Sequence, residues 1–243
     1  MKFFLAPMQG LTGYTVRNAF HHHFDYIDKY YTPFIPAAKR MNAKIKRDID
    51  PINNDGITLI PQAMSIVADE VIDLHRQLVP YGYDEINVNL GCPSGTVVSK
   101  KRGSGILAYP DMLDSFLDEL YTKADFPVSI KTRVGFNDDE LWPRLIEIYS
   151  KYPISELTVH PRVQKDFYKN TPRMDDFALA MQKINPDKTT LCYNGDITDT
   201  NSFNALTDCF PDIDEIMIGR GLFANPALIA ELKGISMNIM SVR

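Results

Sequence analysis

The sequence predicts an α/β chain folded as a closed (β/α)8 barrel, the TIM-barrel architecture, in one domain. Three observations carry that expectation. Eight short β-rich runs, at 3–8, 26–34, 57–64, 85–90, 128–132, 156–160, 190–193 and 215–218, alternate with helical patterns along most of the chain. Such alternation implies parallel strands joined by right-handed crossovers. Eight repeats within 243 residues match the size of one closed barrel. An open doubly wound sheet is the competing architecture, but no GxGxxG follows the first strand to support it.

The first run, in "MKFFLAPMQG", is short, breaks at Pro7 and has no small-residue cleavage pattern after it. It therefore reads as a strand rather than a signal peptide. The pattern at 68–79 places Val71, Ile72, Leu74 and Leu78 on one helical face. That at 111–124 does the same with Met112, Phe116, Leu117 and Leu120. The histidines at 21–23 read as a helix end without a metal, because adjacent residues diverge around a helix. The connection from about 35 to 56 is the longest and is expected to be irregular.

Composition narrows the class further. Hydrophobic residues make up 44% of the chain, enough for a large core and against disorder. No apolar run approaches the roughly 20 residues of a membrane span. Cys92, Cys192 and Cys209 show no paired spacing, which points to a reducing cytoplasm and away from a zinc site. The net charge of −5 speaks, taken alone, against a nucleic-acid partner.

In a barrel of this kind the reactive groups stand at the C-terminal ends of the strands. Read in order, those ends hold Pro7-Met8-Gln9-Gly10, Gln62, Asn89-Leu90-Gly91-Cys92, and Lys131 with Arg133. Then come His160 with Arg162, Asn194-Gly195-Asp196, and Gly219-Arg220-Gly221. Each residue alone has a structural explanation; their shared position does not. Cys92 sits where a strand leaves the sheet, beside Pro93, rather than inside it as a packing cysteine would. Its thiol, with an ordinary pKa of about 8.5, can donate a proton as well as attack. The loops "NGDI" and "IGRG" end the seventh and eighth strands, the usual phosphate site of such barrels, where Arg220 adds charge. Lys131, buried by the barrel wall, must face an anion or lose its charge, and a Schiff-base lysine competes with the first role.

Three basic stretches, 39–47, 100–102 and 162–173, follow strands two, four and six and hold 12 of the 26 Lys and Arg. An acidic body with a basic rim suits a polyanionic substrate. Phe167 and Tyr168 lie within the third stretch and suit stacking on a base.

The motifs "APMQGLTGYTVRNAF" at 6–20, "NVNLGCPS" at 87–94, "RGSGILAYP" at 102–110, "IKTRVGF" at 130–136, "LTVHPR" at 157–162, "NGDIT" at 194–198 and "IGRGLFANP" at 218–226 run in this order. With them the chain resembles the tRNA-dihydrouridine synthases. The resemblance implies FMN-dependent reduction of a uracil base in tRNA, with NADPH as reductant. Hydride would go to C6 and a proton from Cys92 to C5. It implies flavin-ring contacts from Gln62, Lys131 and His160, with Pro7 and Met8 packed against the ring. It places Asn194, Gly195, Asp196, Gly219 and Arg220 at the cofactor and its phosphate, and Asn89, Arg133 and Tyr168 at the uracil or its nucleotide. The sequence stops at Arg243, so the helical domain that usually grips tRNA in this family is expected to be missing. The chain departs from the family pattern at Pro161 after the histidine and at "SGTVVSKK" after Cys92. Two other readings stand beside this one: a flavin-dependent reductase of a free pyrimidine or other small unsaturated molecule, and a non-catalytic barrel that binds RNA or a partner.

Overall fold

Parallel pairing throughout gives one sheet of ten strands in a computed structural model that describes residues 1–37 and 40–235. The strands are β1 (Lys2–Leu5), β2 (Lys29–Tyr31), β3 (Ile35–Pro36), β4 (Leu59–Ile60), β5 (Gln62–Met64), β6 (Ile86–Leu90), β7 (Val128–Gly135), β8 (Glu156–Val163), β9 (Thr190–Tyr193) and β10 (Glu215–Ile218). β2 pairs with β4, and β3, its continuation, pairs with β5, the continuation of β4. β2 with β3 thus fills one barrel position and β4 with β5 the next. Since β5 continues through β6 to β10 and back to β1 and β2, the ten strands close a ring of eight positions. The chain folds as the expected (β/α)8 barrel, a fold of the α/β class.

Two expected strands, 26–34 and 57–64, are each split in two. Pro61 separates β4 from β5; with no N–H it cannot continue the ladder. β1 stops at Leu5, short of Pro7 and Met8, which instead begin the loop above it. β7 and β8 run to Gly135 and Val163, past the expected ends, with a register shift between Arg133 and Gly135. The connection from 35 to 56 is not irregular: it carries β3, the helix α2 (Ala43–Ile49) and a 3-10 turn at Pro51–Asn53. Asn42 caps α2 by accepting from the Ile45 amide at 3.0 Å.

The remaining helices are α1 (Tyr14–His23), α3 (Ala68–Leu78), α4 (Gly95–Val98), α5 (Pro110–Lys123), α6 (Trp142–Tyr149), α7 (Met174–Lys183), α8 (Thr200–Cys209), α9 (Arg220–Ala224) and α10 (Leu228–Leu232). The two helices read from periodicity are present, and Val71, Leu74, Leu78, Phe116, Leu117 and Leu120 are buried as their spacing demanded. The three histidines close α1. At the N-terminal mouth of the barrel, Lys2 pairs with Glu215 at 2.9 Å and Lys29 with Glu156 at 2.7 Å. Tyr31 donates to the same Glu156 at 2.6 Å. That mouth is closed by paired charges, so the site lies at the other.

Candidate functional site

At the C-terminal mouth lies a cavity of about 560 Å³. Every site residue expected from the sequence lines it: Cys92; Pro7, Met8, Gln62, Lys131, His160, Asn194, Gly195, Asp196, Gly219 and Arg220; and Asn89, Arg133 and Tyr168. Gln9 and Phe167, noted at a strand end and as a stacking candidate, line it too, and so do Ala6, Leu11 and Phe34, which the sequence did not single out.

One wall is a chain of side-chain amides. Asn87 donates to Ser129 Oγ at 3.0 Å, Gln62 donates to Asn87 Oδ1 at 2.8 Å, and Asn89 donates to Gln62 Oε1 at 2.7 Å. Asn89 Oδ1 in turn accepts from the amides of Gly91 at 3.1 Å and Cys92 at 2.8 Å. The turn that presents the thiol is thereby fixed from below. From outside, the Cys92 carbonyl accepts from Ser104 N at 3.1 Å and Ser104 Oγ at 2.8 Å. Gly103, at φ +55, lets that segment close in: a Cβ there would lie 2.7 Å from the Cys92 carbonyl oxygen. Burial pushes the Cys92 thiol up, outweighing the opposite pull of Arg133 and Lys131. Cys92 is thus held as a protonated thiol.

The opposite wall is cationic. Lys131 Nζ donates to Asn194 Oδ1 at 2.6 Å, and Asn194 donates onward to the Met217 carbonyl at 2.7 Å. Burial, with Arg133 nearby, lowers Lys131 to about 7. Lys131 has found no carboxylate, so it stands between charged and neutral. Burial first, then the surrounding cations, drives His160 well below its ordinary range, which makes it neutral. Arg162 Nη1 lies 3.2 Å from His160 Nε2. An arginine can only donate, so Nε2 accepts and the His160 proton sits on Nδ1. His160 is therefore a neutral donor rather than a cation.

Arg162 is almost wholly buried and was not among the expected site residues. Besides His160 it holds both oxygens of Asp196 and the carbonyls of Lys169 and Asn170. Asp196 also accepts from Arg220 at 2.5 Å. Burial alone would raise the Asp196 carboxyl, but the hydrogen bonds and charges of Arg162 and Arg220 hold it below its usual value. Arg133 is buried too and donates to the carbonyls of Gly91, Val163 and Phe167 at 3.0, 2.9 and 2.6 Å. It ties the Cys92 turn to the lip at 164–170. Two features elsewhere in that lip look outward. Phe167, at φ +49, and Tyr168 are each about half exposed, and the Tyr168 ring lies near both Arg133 and Arg220.

The loops after β9 and β10, the seventh and eighth barrel positions, pack tightly because glycines allow it. A Cβ on Gly195 would fall 2.0 Å from Tyr193 Oη, and one on Gly221 would fall 2.1 Å from the Ile197 carbonyl. Among the described residues, the amides of Gly195, Asp196 and Gly219 have no acceptor. Open amides beside an arginine are groups of the kind that bind an anion.

The basic rim is thinner than its sequence suggests. Arg162 is internal, Arg173 pairs with Asp139 and Asp166, and Arg102 pairs with Glu70. Lys39, in the first stretch, lies outside the described residues. Arg40, Lys44, Lys46, Arg47, Lys100, Lys101, Lys165 and Lys169 stay exposed. Among the described residues there is no cluster of three metal-ligating side chains, and no helix is long and apolar enough to cross a membrane.

A family model described as dihydrouridine synthase (Dus) matches residues 4–241. The tRNA-dihydrouridine synthase B of Pasteurella multocida is 26% identical, over 96% of this chain and 69% of its own. That of Shigella flexneri is 30% identical, over 75% and 56%. A probable tRNA-dihydrouridine synthase of Staphylococcus aureus is 34% identical, over 62% and 46%. The chain therefore spans between about half and two thirds of the length of these curated relatives. Among solved structures, morphinone reductase superposes with a TM-score of 0.64 at 11% identity, over 98% of this chain and 87% of that one. The 3-hexulose-6-phosphate synthase of Salmonella typhimurium gives 0.58 at 14% identity, over 100% of both. These two share the barrel alone. The family match spans nearly the whole chain and every strand end that builds the cavity, and by it this chain belongs to the dihydrouridine synthase family.

Proposed function

We propose that this chain reduces a uridine of tRNA to 5,6-dihydrouridine in the cytoplasm, with FMN as its bound cofactor and NADPH as the reductant. The observation that carries the reading is the pairing, across one cavity, of a protonated thiol with an anion cradle and a wall of polar donors.

The residues present fit a flavin mononucleotide. The open amides of Gly195, Asp196 and Gly219, with Arg220, suit its phosphate. Gln62, Lys131 and the Nδ1–H of His160 suit the polar edge of its ring, and Ala6, Pro7 and Met8 supply an apolar wall. When bound, FMN supplies the hydride that C6 of the base receives. The rest falls to the protein. Cys92 Sγ keeps its proton until C5 needs it, because its surroundings disfavour the thiolate. Asn89 holds the Cys92 turn, and Arg133 holds the same turn from its carbonyl side. Lys131 regains full charge when an anion enters, since the cost of charging it falls with a partner in place. A base reaches this cavity only when drawn out of the folded RNA, past Tyr168 and Phe167 at the lip.

The test combines the purified protein with FMN, NADPH and unmodified tRNA, and reads the digested nucleosides by mass spectrometry. The expected result is uridine gaining two hydrogens. Flavin that binds and is reduced, yet is reoxidised by no tRNA, would transfer the reading to a small unsaturated substrate.

A further inference from the structure

The helix α2 carries a cationic face that the cavity does not use. Arg40 precedes it, and Lys44, Lys46 and Arg47 lie on it, all exposed. Among the described residues no carboxylate lies within ion-pairing distance of any of the four. The only acid between residues 39 and 49 is Asp48, and it points inward. Its Oδ1 accepts from the Tyr14 amide at 2.7 Å, and its Oδ2 faces Arg17 at 3.3 Å. The stretch has withdrawn its one negative charge and left its positive charges outside.

The face is also held still. Arg17, with no exposed surface, donates to the Asp48 carbonyl at 2.6 Å, to Asn54 Oδ1 at 2.9 Å and to the Thr12 carbonyl at 2.7 Å. Thr12 belongs to the loop whose Met8, Gln9 and Leu11 line the cavity, and its hydroxyl accepts from the Met8 amide at 2.9 Å. Asn54 returns two bonds, to the carbonyls of Asp48 and Asp50, at 3.0 and 2.9 Å. One buried arginine thus fastens α2 to the cavity loop. Unpaired cations on a mobile loop would be an ordinary solvated surface. Three of them on a capped helix, with Arg40 just ahead of the cap, fixed relative to a cavity that takes a base, form a template with a set distance to it.

We infer that α2 is a phosphate-binding rest for the RNA strand outside the cavity, engaging the backbone through Lys44, Lys46 and Arg47 while the target base sits below. The inference rests on the reading of the cavity as a site for an RNA base. Charge complementarity selects the occupant: a cationic face with no aromatic residue and no pocket takes phosphates without reading sequence.

The test measures binding rather than turnover. An unmodified tRNA is titrated by fluorescence anisotropy at several salt concentrations, against the full chain and the triple variant Lys44→Ala/Lys46→Ala/Arg47→Ala. Expected are an affinity at least about tenfold weaker and a slope of log affinity against log salt reduced by about 2. FMN affinity should be unchanged. The variant Lys123→Ala/Lys151→Ala/Lys183→Ala, at the ends of the outer helices and just past one, removes the same three charges elsewhere and should keep the wild-type affinity. Wild-type affinity and slope in the triple variant would overturn the inference, as would an equal loss in the control. The outcomes separate from those of the reduction assay. Binding that depends on α2 without dihydrouridine formation sinks the proposed reaction alone. Dihydrouridine formation with binding independent of α2 sinks only this inference.

Discussion

The two mouths of the barrel are built from similar residues and come out electrically opposite. At the N-terminal mouth each lysine meets a carboxylate: Lys2 faces Glu215, and Lys29 faces Glu156, which Tyr31 and Thr158 also satisfy. At the C-terminal mouth Lys131 meets an amide oxygen, Arg133 meets three carbonyls, and Arg162 and Arg220 share the carboxylate of Asp196. Local pairing closes the first mouth. The second keeps a surplus of positive charge and of amide hydrogens, which an anionic ligand with its own acceptors would complete. Burying charge is costly at either end. At the closed end both lysines have a carboxylate, although Glu215 Oε2 keeps no partner; at the cavity end, among the described residues, Lys131 and Arg133 pair with no carboxylate at all.

The sharpest way to break this contrast is through its cysteines. Cys92 stands at the open mouth, whereas Cys192 is fully buried on β9. Cys92→Ala should retain bound flavin and lower turnover on the base at least about a hundredfold, the lower end for loss of a general acid. Cys192→Ala should keep turnover near wild type in the folded protein. A wild-type rate in Cys92→Ala, measured in single turnover, would show that the proton comes from elsewhere.

A smaller effect, of the opposite kind, is expected at the closed mouth. Glu156→Ala strands Lys29 and Tyr31 and should lower the free energy of unfolding in urea by about 3 kcal/mol. Flavin affinity of the folded protein should stay within about twofold, because the change lies at the far end of the barrel. A large loss of flavin with little loss of stability would mean the two mouths are not independent.

The mildest effect is a pH dependence. Lys131 titrates near 7 in the ligand-free protein, below its ordinary 10.5. Its charged form attracts an anion and its neutral form does not, so affinity for FMN should fall as pH rises through 7, by at most about tenfold per unit. Binding near pH 8 should take up a proton, visible by calorimetry in buffers of different ionisation heat. The sign for folding is opposite. Between about 7 and 10.5 the unfolded chain binds this proton and the folded chain does not, so this group's contribution favours the folded state as pH rises across that window. Lys131→Met should flatten both dependences.

Much of this was legible in the sequence, for identifiable reasons. Strand–helix alternation marks the barrel, and a barrel dictates which end of each strand is reactive, so Cys92, Lys131, His160 and the glycine loops could be gathered before any coordinates. The split of β2 from β3 and of β4 from β5 was not legible, because 26–34 and 57–64 each look like one apolar run. The extra length of β7 and β8 was hidden by Arg133 and Arg162, which resemble the start of a solvated loop. Both are inside, Arg133 held by carbonyls and Arg162 by carbonyls and the Asp196 carboxylate, partners that only the fold brings near. Arg17 escaped notice for the same reason: nothing in "YTVRNAF" tells a buried arginine from an exposed one. Asn87, the hidden end of the amide wall, reads as an ordinary strand residue.

That amide wall has a property of parity. The amides of Gly91 and Cys92 can only donate, so Asn89 must turn its oxygen toward them and its nitrogen toward Gln62. Gln62 must then turn its nitrogen toward Asn87, and Asn87 its own toward Ser129. Two main-chain hydrogens at the cysteine turn thus fix the sense of every side-chain amide below them. An aspartate at position 89 would keep the turn but could no longer give a hydrogen to Gln62. The whole row would then have to reverse, and the lone pairs and hydrogens that the wall offers the cavity would change places. The lettering of the wall is written from one end, and changing its last letter changes how every earlier one is read.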